Sequence, residues 1–206
     1  MPSPDFRAHW QNVYTTRRET EVSWFQATPS VSLDLIRSVG ALGRAAIIDI
    51  GGGASRLVDA LLDHGCQDVT VLDVSEAALS ATRARLADRT AAVQWIAADV
   101  TRWDPPRQYD LWHDRAAFHF LTDANDRTAY VEGLGRALRS GGHAIIATFA
   151  ADGPERCSGL PVVRYDAAML GATLGNRFTL MESRREDHLT PMGTTQRFQY
   201  SVFRRS

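Results

Sequence analysis

The sequence predicts an α/β fold built as a doubly wound, mostly parallel sheet, and three observations carry that expectation. Five apolar, β-branched runs, residues 45–50, 69–73, 93–97, 109–113 and 143–149, have the length and continuity of strands buried on both faces. Segments with helical periodicity, 55–65, 76–88 and 123–139, fall between them, and strand–helix alternation with right-handed crossovers winds helices onto both faces of one sheet. The acids and glycines that stand out follow the carboxyl ends of those strands, where such sheets open their ligand crevice.

The first strand, AAIIDI, runs into Asp49-x-Gly51-x-Gly53. A buried strand reaches a helix there through a very tight turn, where glycine tolerates positive φ and lets a ligand press against the backbone. The second strand ends in Asp73, followed by Val74. A carboxylate at that point suits a ribose diol, because it accepts from two neighbouring hydroxyls. Ser75 ahead of Glu76, and Thr122-Asp123 ahead of 123–139, read as helix N-terminal caps. The third strand, VQWIA, leads to Ala98-Asp99-Val100, and the fourth delivers Asp114 and Arg115. Residues 152–161, with their Pro and Gly, read as a long loop after the fifth strand, and TTQRFQYSVFRR alternates like an antiparallel strand.

A glycine turn with an acid on the next strand indicates an adenosine-containing cofactor, and the sequence discriminates among such cofactors. The dinucleotide fingerprint fails because Arg56 holds its third glycine position. Asp49 suits a cationic amino-acid tail better than phosphates. A Gly-x-x-x-x-Gly-Lys-[Ser/Thr] phosphate loop is excluded, since all 23 basic residues are arginine. The same fact rules out Schiff-base chemistry and a catalytic lysine. A nicotinamide-dependent oxidoreductase also lacks an obvious Tyr/Lys or Cys/His pair.

In their order along roughly three quarters of the chain, these segments resemble the class I S-adenosylmethionine (SAM) dependent methyltransferases. Ala98-Asp99-Val100 resembles the family's third motif, and Tyr109 to Asp114 its fourth strand, whose end faces the transferred methyl. Leu138-Arg139-Ser140-Gly141-Gly142-His143 resembles its Leu-x-Pro-Gly-Gly turn, with Ser140 in the usual proline position. The resemblance implies a Rossmann-like, seven-stranded sheet with an antiparallel last strand. It also implies SAM as cofactor and S-adenosylhomocysteine as product. Asp49, Gly51 and Gly53 would then place the methionine part, Asp73 the ribose and Asp99 the adenine, with Val74, Val100 and Asp114 completing the cofactor set.

Ahead of the first core strand, His9-Trp10-Gln11-Asn12-Val13-Tyr14 and Glu21-Val22-Ser23-Trp24-Phe25 resemble the aromatic leader that folds over the cofactor in small methyltransferases. A single domain is expected, with 1–40 as helical lid and 41–206 as SAM-binding core. Aromatic faces attract a sulfonium and exclude water, so Tyr14 and Trp24 are the expected cofactor contacts. Simple packing of Trp10, Tyr14 and Trp24 on the sheet is the other reading.

Methyl transfer is an in-line displacement at carbon, so the protein must align donor and acceptor and receive the acceptor deprotonated. No metal is required. His119, with an ordinary pKa near ~6.5, is the candidate to take the acceptor's proton or orient it; a structural histidine bonded to backbone is the alternative. Asp114 and Arg115 are candidates for the acceptor pocket, or for ion pairing that holds the loop. His113 is expected to pack or to hold Asp114, His143 to be structural, and Cys157 lies on a loop able to cover the acceptor. The segment 113–121 also resembles the Asp-Lys-Gly-x-x-Asp-x-Leu stretch of methyltransferases that modify protein lysines, but His119 stands where that subgroup carries an acid. That departure points to a small neutral or anionic acceptor such as a thiol, a chalcogen compound or a small acid. A protein lysine methyltransferase and a non-catalytic SAM-binding regulator or subunit are the other readings.

The bulk properties set outer bounds. A chain of 206 residues suffices for one α/β domain. A net charge of −1 and a pI near 6.6 create no field for nucleic acid or membrane, and no run reads as a signal core or spanning segment. Two cysteines suit a reducing cytosol, and the Ala/Arg-rich composition points to a bacterium. The expectation is a cytoplasmic monomer or homodimer acting on a small molecule.

Overall fold

The structure, a computed structural model, describes residues 5–206, so the first four residues of the expected leader lie outside the described residues. The five apolar runs form β1 (Ala46–Ile50), β2 (Asp68–Asp73), β3 (Val93–Ala97), β4 (Tyr109–Arg115) and β5 (Leu138–Phe149). A small hairpin, β6 (Arg156–Cys157) and β7 (Leu160–Pro161), precedes two long strands, β8 (Phe178–Leu189) and β9 (Thr195–Arg205). Seven of these build one sheet in the order β3-β2-β1-β4-β5-β9-β8. β1 to β5 run parallel, and β9 runs antiparallel to both its neighbours. Strand order reverses between β1 and β4, so their carboxyl ends diverge and leave a crevice there.

Alternation along the central strands sorts the core into two layers. Ile47, Leu111 and Ile145 join the cluster under α2 (Ser30–Ser38), α3 (Leu57–Asp63) and α4 (Glu76–Leu86). Ile48, Trp112 and Ile146 join the cluster under α5 (Ala124–Ala137) and α6 (Ala167–Leu174). The leader contributes α1 (Phe6–Thr16), docked on α4 where the Gln11 side-chain oxygen accepts from Ala77 N at 3.2 Å. A 3₁₀ turn, Glu19–Glu21, follows, and Glu19 bridges Arg56 and Arg85 to tie it to α3 and α4.

Several boundaries differ from expectation. The helix expected to 139 stops at Ala137 because Leu138 already pairs with Tyr109, so the Gly141-Gly142 segment is an irregular start to β5 rather than a separate turn. The helix expected over 55–65 is confined to Leu57–Asp63, and the one over 76–88 gives way after Leu86 to a 3₁₀ turn. β4 continues past 113 to Arg115, and the expected loop 152–161 contains the hairpin. Neither α2, α6 nor β8 was signalled by periodicity. β8 reads as polar because it is a sheet edge with few buried positions, and its charges discourage edge-to-edge pairing. Ser75 and Asp123 cap as expected, accepting from Ala78 N at 3.2 Å and Asn125 N at 2.7 Å. No helix among the described residues is long and apolar enough to cross a membrane.

Candidate active site

A cleft with two connected lobes lies over the carboxyl ends of β1 to β4, roofed by α1 and the Glu19–Trp24 segment; Tyr14, Trp24, Gly51 and Arg115 line both lobes. The glycine turn forms its floor. Gly51 adopts φ +67°, and a Cβ there would meet Ala117 at 3.0 Å. A Cβ on Gly52 would stand 2.2 Å from Asp49 Oδ2, so the middle glycine, outside the expected pair, is the one that clears this carboxylate. Gly53 does not line the cleft. Its N–H donates to Asp73 Oδ2 at 2.9 Å, and it supports Asp73 from behind.

The first lobe gathers Asp73, Val74, Asp99 and Val100 as expected for an adenosine site. Asp73 also accepts from Ser75 N at 2.8 Å. Burial lifts its pKa to about 6, opposed by the Ser75 and Gly53 donors and assisted by the charge of Asp49. Asp99 Oδ1 accepts from Thr101 N at 2.9 Å and Thr101 Oγ1 at 2.7 Å, which orients the carboxyl. The second lobe holds Asp49, Ser32 and His113. Asp49 Oδ1 pairs with His113 Nδ1 at 2.7 Å, while Oδ2 is buried with no hydrogen-bond partner. His113 therefore holds Asp49, not Asp114 as expected.

Between the lobes the leader supplies an aromatic wall. Trp24 Nε1 donates to Tyr14 Oη at 3.2 Å, and Trp10 packs edge-on to Trp24 and Phe120 with centroids at 5.5 and 5.1 Å. Burial and the nearby Asp73 charge push the Tyr14 hydroxyl far above the ordinary phenol value. Arg115 donates from Nε to Tyr200 Oη at 2.9 Å and from Nη1 to the Trp24 carbonyl at 3.0 Å, and its guanidinium lies 4.4 Å from the centroid of the Phe198 ring. Its Nη2 is 3.9 Å from Glu186 and makes no hydrogen bond. Cys157 lines the first lobe, and burial pushes its thiol to about 12 against the pull of Arg115. A thiol so hard to ionise is a wall rather than a nucleophile.

Two expected site residues need correction. Asp114 is fully enclosed and lines neither lobe; it accepts from Ala117 N at 2.8 Å and Tyr130 Oη at 2.6 Å, and so shapes the loop. His119 is equally enclosed, accepts from Phe149 N at 3.3 Å, and is lowered by burial to about 3. A side chain outside both lobes and held neutral has no geometry for taking a proton there. Residues the sequence reading passed over include Phe6, Phe120, Ser32 and Gly52. The unbroken Gly51-Gly52-Gly53 run was a usable signal for Gly52, whereas Ser32 has none in sequence.

This topology, with its cleft at the sheet's switch point, defines a class I, Rossmann-like methyltransferase fold. Residues 47–142, a segment that holds the acidic strand ends of β1 to β4, match the family described as "Methyltransferase domain". Nodulation protein S of Rhizobium tropici is 30% identical over 101 residues, which cover 49% of this chain and only 42% of that protein. Among solved structures, one described under the conversion of a disulfide bond into a thioacetal group during echinomycin biosynthesis has a TM-score of 0.77 at 20% identity, covering 97% of this chain and 93% of the other. The 1,6-didemethyltoxoflavin-N1-methyltransferase of Burkholderia thailandensis, bound to 1,6-didemethyltoxoflavin and S-adenosylhomocysteine, has a TM-score of 0.74 at 22% identity, covering 97% and 87%.

Proposed function

We propose that this protein transfers a methyl group from SAM to a small-molecule acceptor and releases S-adenosylhomocysteine. The observation that carries the reading is the row of carboxylates at successive strand ends, with Asp49 Oδ2 buried and unpartnered in the second lobe and Asp73 and Asp99 together in the first. Their spacing along the cleft fits an ammonium, a ribose diol and an adenine amino group in turn. Bound SAM supplies an electrophilic methyl on a sulfonium. Tyr14 and Trp24 then line the cationic centre and exclude water from it. Residues 1–40 act as lid and 41–206 as core, with the lid held by Glu19 and Gln11.

The acceptor enters beside Arg115, Tyr14 and Cys157, and its chemistry follows from what that wall lacks. Tyr14 and Cys157 are held protonated, and His119 lies outside the cleft, so none of the three serves as general base near neutral pH. The acceptor atom therefore arrives with its lone pair free, as in a thiolate, a chalcogenide or a carboxylate. The Arg115 guanidinium favours such a group and opposes the ammonium of a protein lysine. The bound 1,6-didemethyltoxoflavin of the Burkholderia enzyme supports a small acceptor. Composition, two free buried cysteines and bacterial relatives support a cytoplasmic bacterial enzyme.

Calorimetric titration with S-adenosylhomocysteine, on wild type and Asp73→Ala, tests the reading. Binding that the substitution weakens supports it, and a screen of thiols, small acids and lysine peptides then identifies the acceptor. Absence of binding to folded wild type overturns it. Binding with no turnover on any acceptor favours a SAM-binding regulator.

A further inference from the structure

We infer that His113 and Ser32 are positioning residues for the amino-acid tail of the cofactor, acting through Asp49; this rests on the cofactor reading above. The sheet register sets Asp49 of β1 directly beside His113 of β4, so their side chains leave the same face. His113 Nδ1 lies 2.7 Å from Asp49 Oδ1, and its Nε2 lies 2.9 Å from Ser32 Oγ on α2. The three side chains are 2%, 2% and 1% exposed for His113, Asp49 and Ser32.

The Nδ1–H of His113 donates to Asp49 Oδ1, and Nε2 shares the second hydrogen bond with the Ser32 hydroxyl, which can serve as donor or acceptor. The connectivity Ser–His–Asp matches that of hydrolytic triads, but the Ser32 hydroxyl is enclosed and directed at the ring, which leaves it a holding role. The relay fixes one oxygen of Asp49 and thereby the orientation of the other. Oδ2 is left without a partner, and Gly52 removes the one Cβ that would cover it. A buried carboxylate oxygen without a donor is unfavourable until one arrives, and an ammonium is the matching donor. Sequence motifs single out Asp49 alone; its two supports come from a different strand and from the leader.

The test compares S-adenosylhomocysteine with 5′-methylthioadenosine, which shares the adenosine but lacks the amino-acid tail. In His113→Phe, calorimetry is expected to show about tenfold weaker binding of S-adenosylhomocysteine, the loss that follows from freeing one charge-assisted hydrogen bond. Binding of 5′-methylthioadenosine stays within about twofold of wild type, since its contacts lie in the other lobe. His113→Asn, whose amide nitrogen sits near the position of Nδ1, recovers most of the loss, and Ser32→Ala gives a smaller, tail-specific loss. If His113→Phe does not fold, the Asn and Ala variants carry the comparison. Equal losses for both ligands, or none, overturn the relay while leaving the cofactor reading intact. Failure of wild type to bind either ligand overturns both.

Discussion

Tyr130 of α5 donates a 2.6 Å hydrogen bond to Asp114 Oδ2, inside a core where both residues are completely buried. The same carboxylate accepts from Ala117 N at 2.8 Å and Phe118 N at 3.1 Å, so one aspartate near the end of β4 turns the following loop and anchors it to a helix. That loop carries Ala117 against Gly51, which makes Asp114 a support of the cleft rather than part of its lining.

Asp114→Ala leaves two backbone donors and a hydroxyl buried without an acceptor. The expected loss is about 3 kcal/mol of stability, since each orphaned buried group forfeits its desolvation compensation. Urea unfolding checks the value, and a loss below about 1 kcal/mol would show that the loop re-forms its bonds elsewhere. The sign of the pH dependence is also set. Burial raises Asp114 to about 6, against the Tyr130, Ala117 and Phe118 donors, so its stabilising contribution is full below the unfolded value and declines as pH rises through 6. Wild type measured against Asp114→Asn should lose ground between about pH 4 and 6.

Asp73 has the same raised value of about 6 but lines the cleft, where the proposed function sets it against the ribose hydroxyls. Hydroxyl donors prefer the carboxylate form, so affinity for S-adenosylhomocysteine is expected to fall as pH drops below 6, approaching about tenfold per unit at the steepest. Asp73→Asn should bind more weakly at pH 7.5 and show a flat profile across the same range. A flat profile in wild type would remove Asp73 from the ligand's contacts.

His119 titrates in the opposite sense. It is held neutral down to about 3 by burial, with the Arg115 charge adding, whereas the unfolded chain protonates it near its ordinary value. Its share of stability is therefore present at neutral pH and is lost as pH falls from about 6.5 towards 3. Measured by denaturant unfolding, His119→Gln should narrow its gap to wild type on acidification. Turnover should change by no more than about threefold, because the side chain lies outside the cleft. A kcat pH profile whose ionisation vanishes in His119→Gln would restore it as the base.

Arg115 lines both lobes of the cleft, and the proposed function sets it beside the acceptor. Arg115→Gln removes a charge whose Nη2 is unpartnered, and it should raise KM for a thiolate or carboxylate acceptor about tenfold with S-adenosylhomocysteine affinity changed less than threefold. The reverse pattern, in which affinity for S-adenosylhomocysteine collapses, would assign Nη2 to the cofactor's own carboxylate. Faster methylation of a lysine peptide by the variant would point to a cationic acceptor.

The parallel strands, the glycine turn and the acids at strand ends were legible in the sequence because local rules govern them. Buried strands demand unbroken apolar runs, tight turns demand glycine, and strand–helix alternation forces one sheet with one crevice. The same rules located Asp49, Asp73 and Asp99, all of which line the cleft. They left β8 unseen, because an edge strand exposed to solvent carries no hydrophobic period.

What the chain's order alone leaves undecided is which side chains meet. His119 and Asp114 occupy positions at or just past the carboxyl end of β4, yet packing turns both inward, while Arg115, a neighbour of Asp114, faces the cleft. Ser32 and His113 are 81 positions apart and become hydrogen-bond partners only when α2 docks over β4. The parallel strands, the glycine floor and the carboxylates along it follow from the residue pattern of each segment and need no knowledge of its neighbours. Which titratable groups are enclosed and which are presented depends instead on packing, because desolvation is set by contacts between segments distant in sequence.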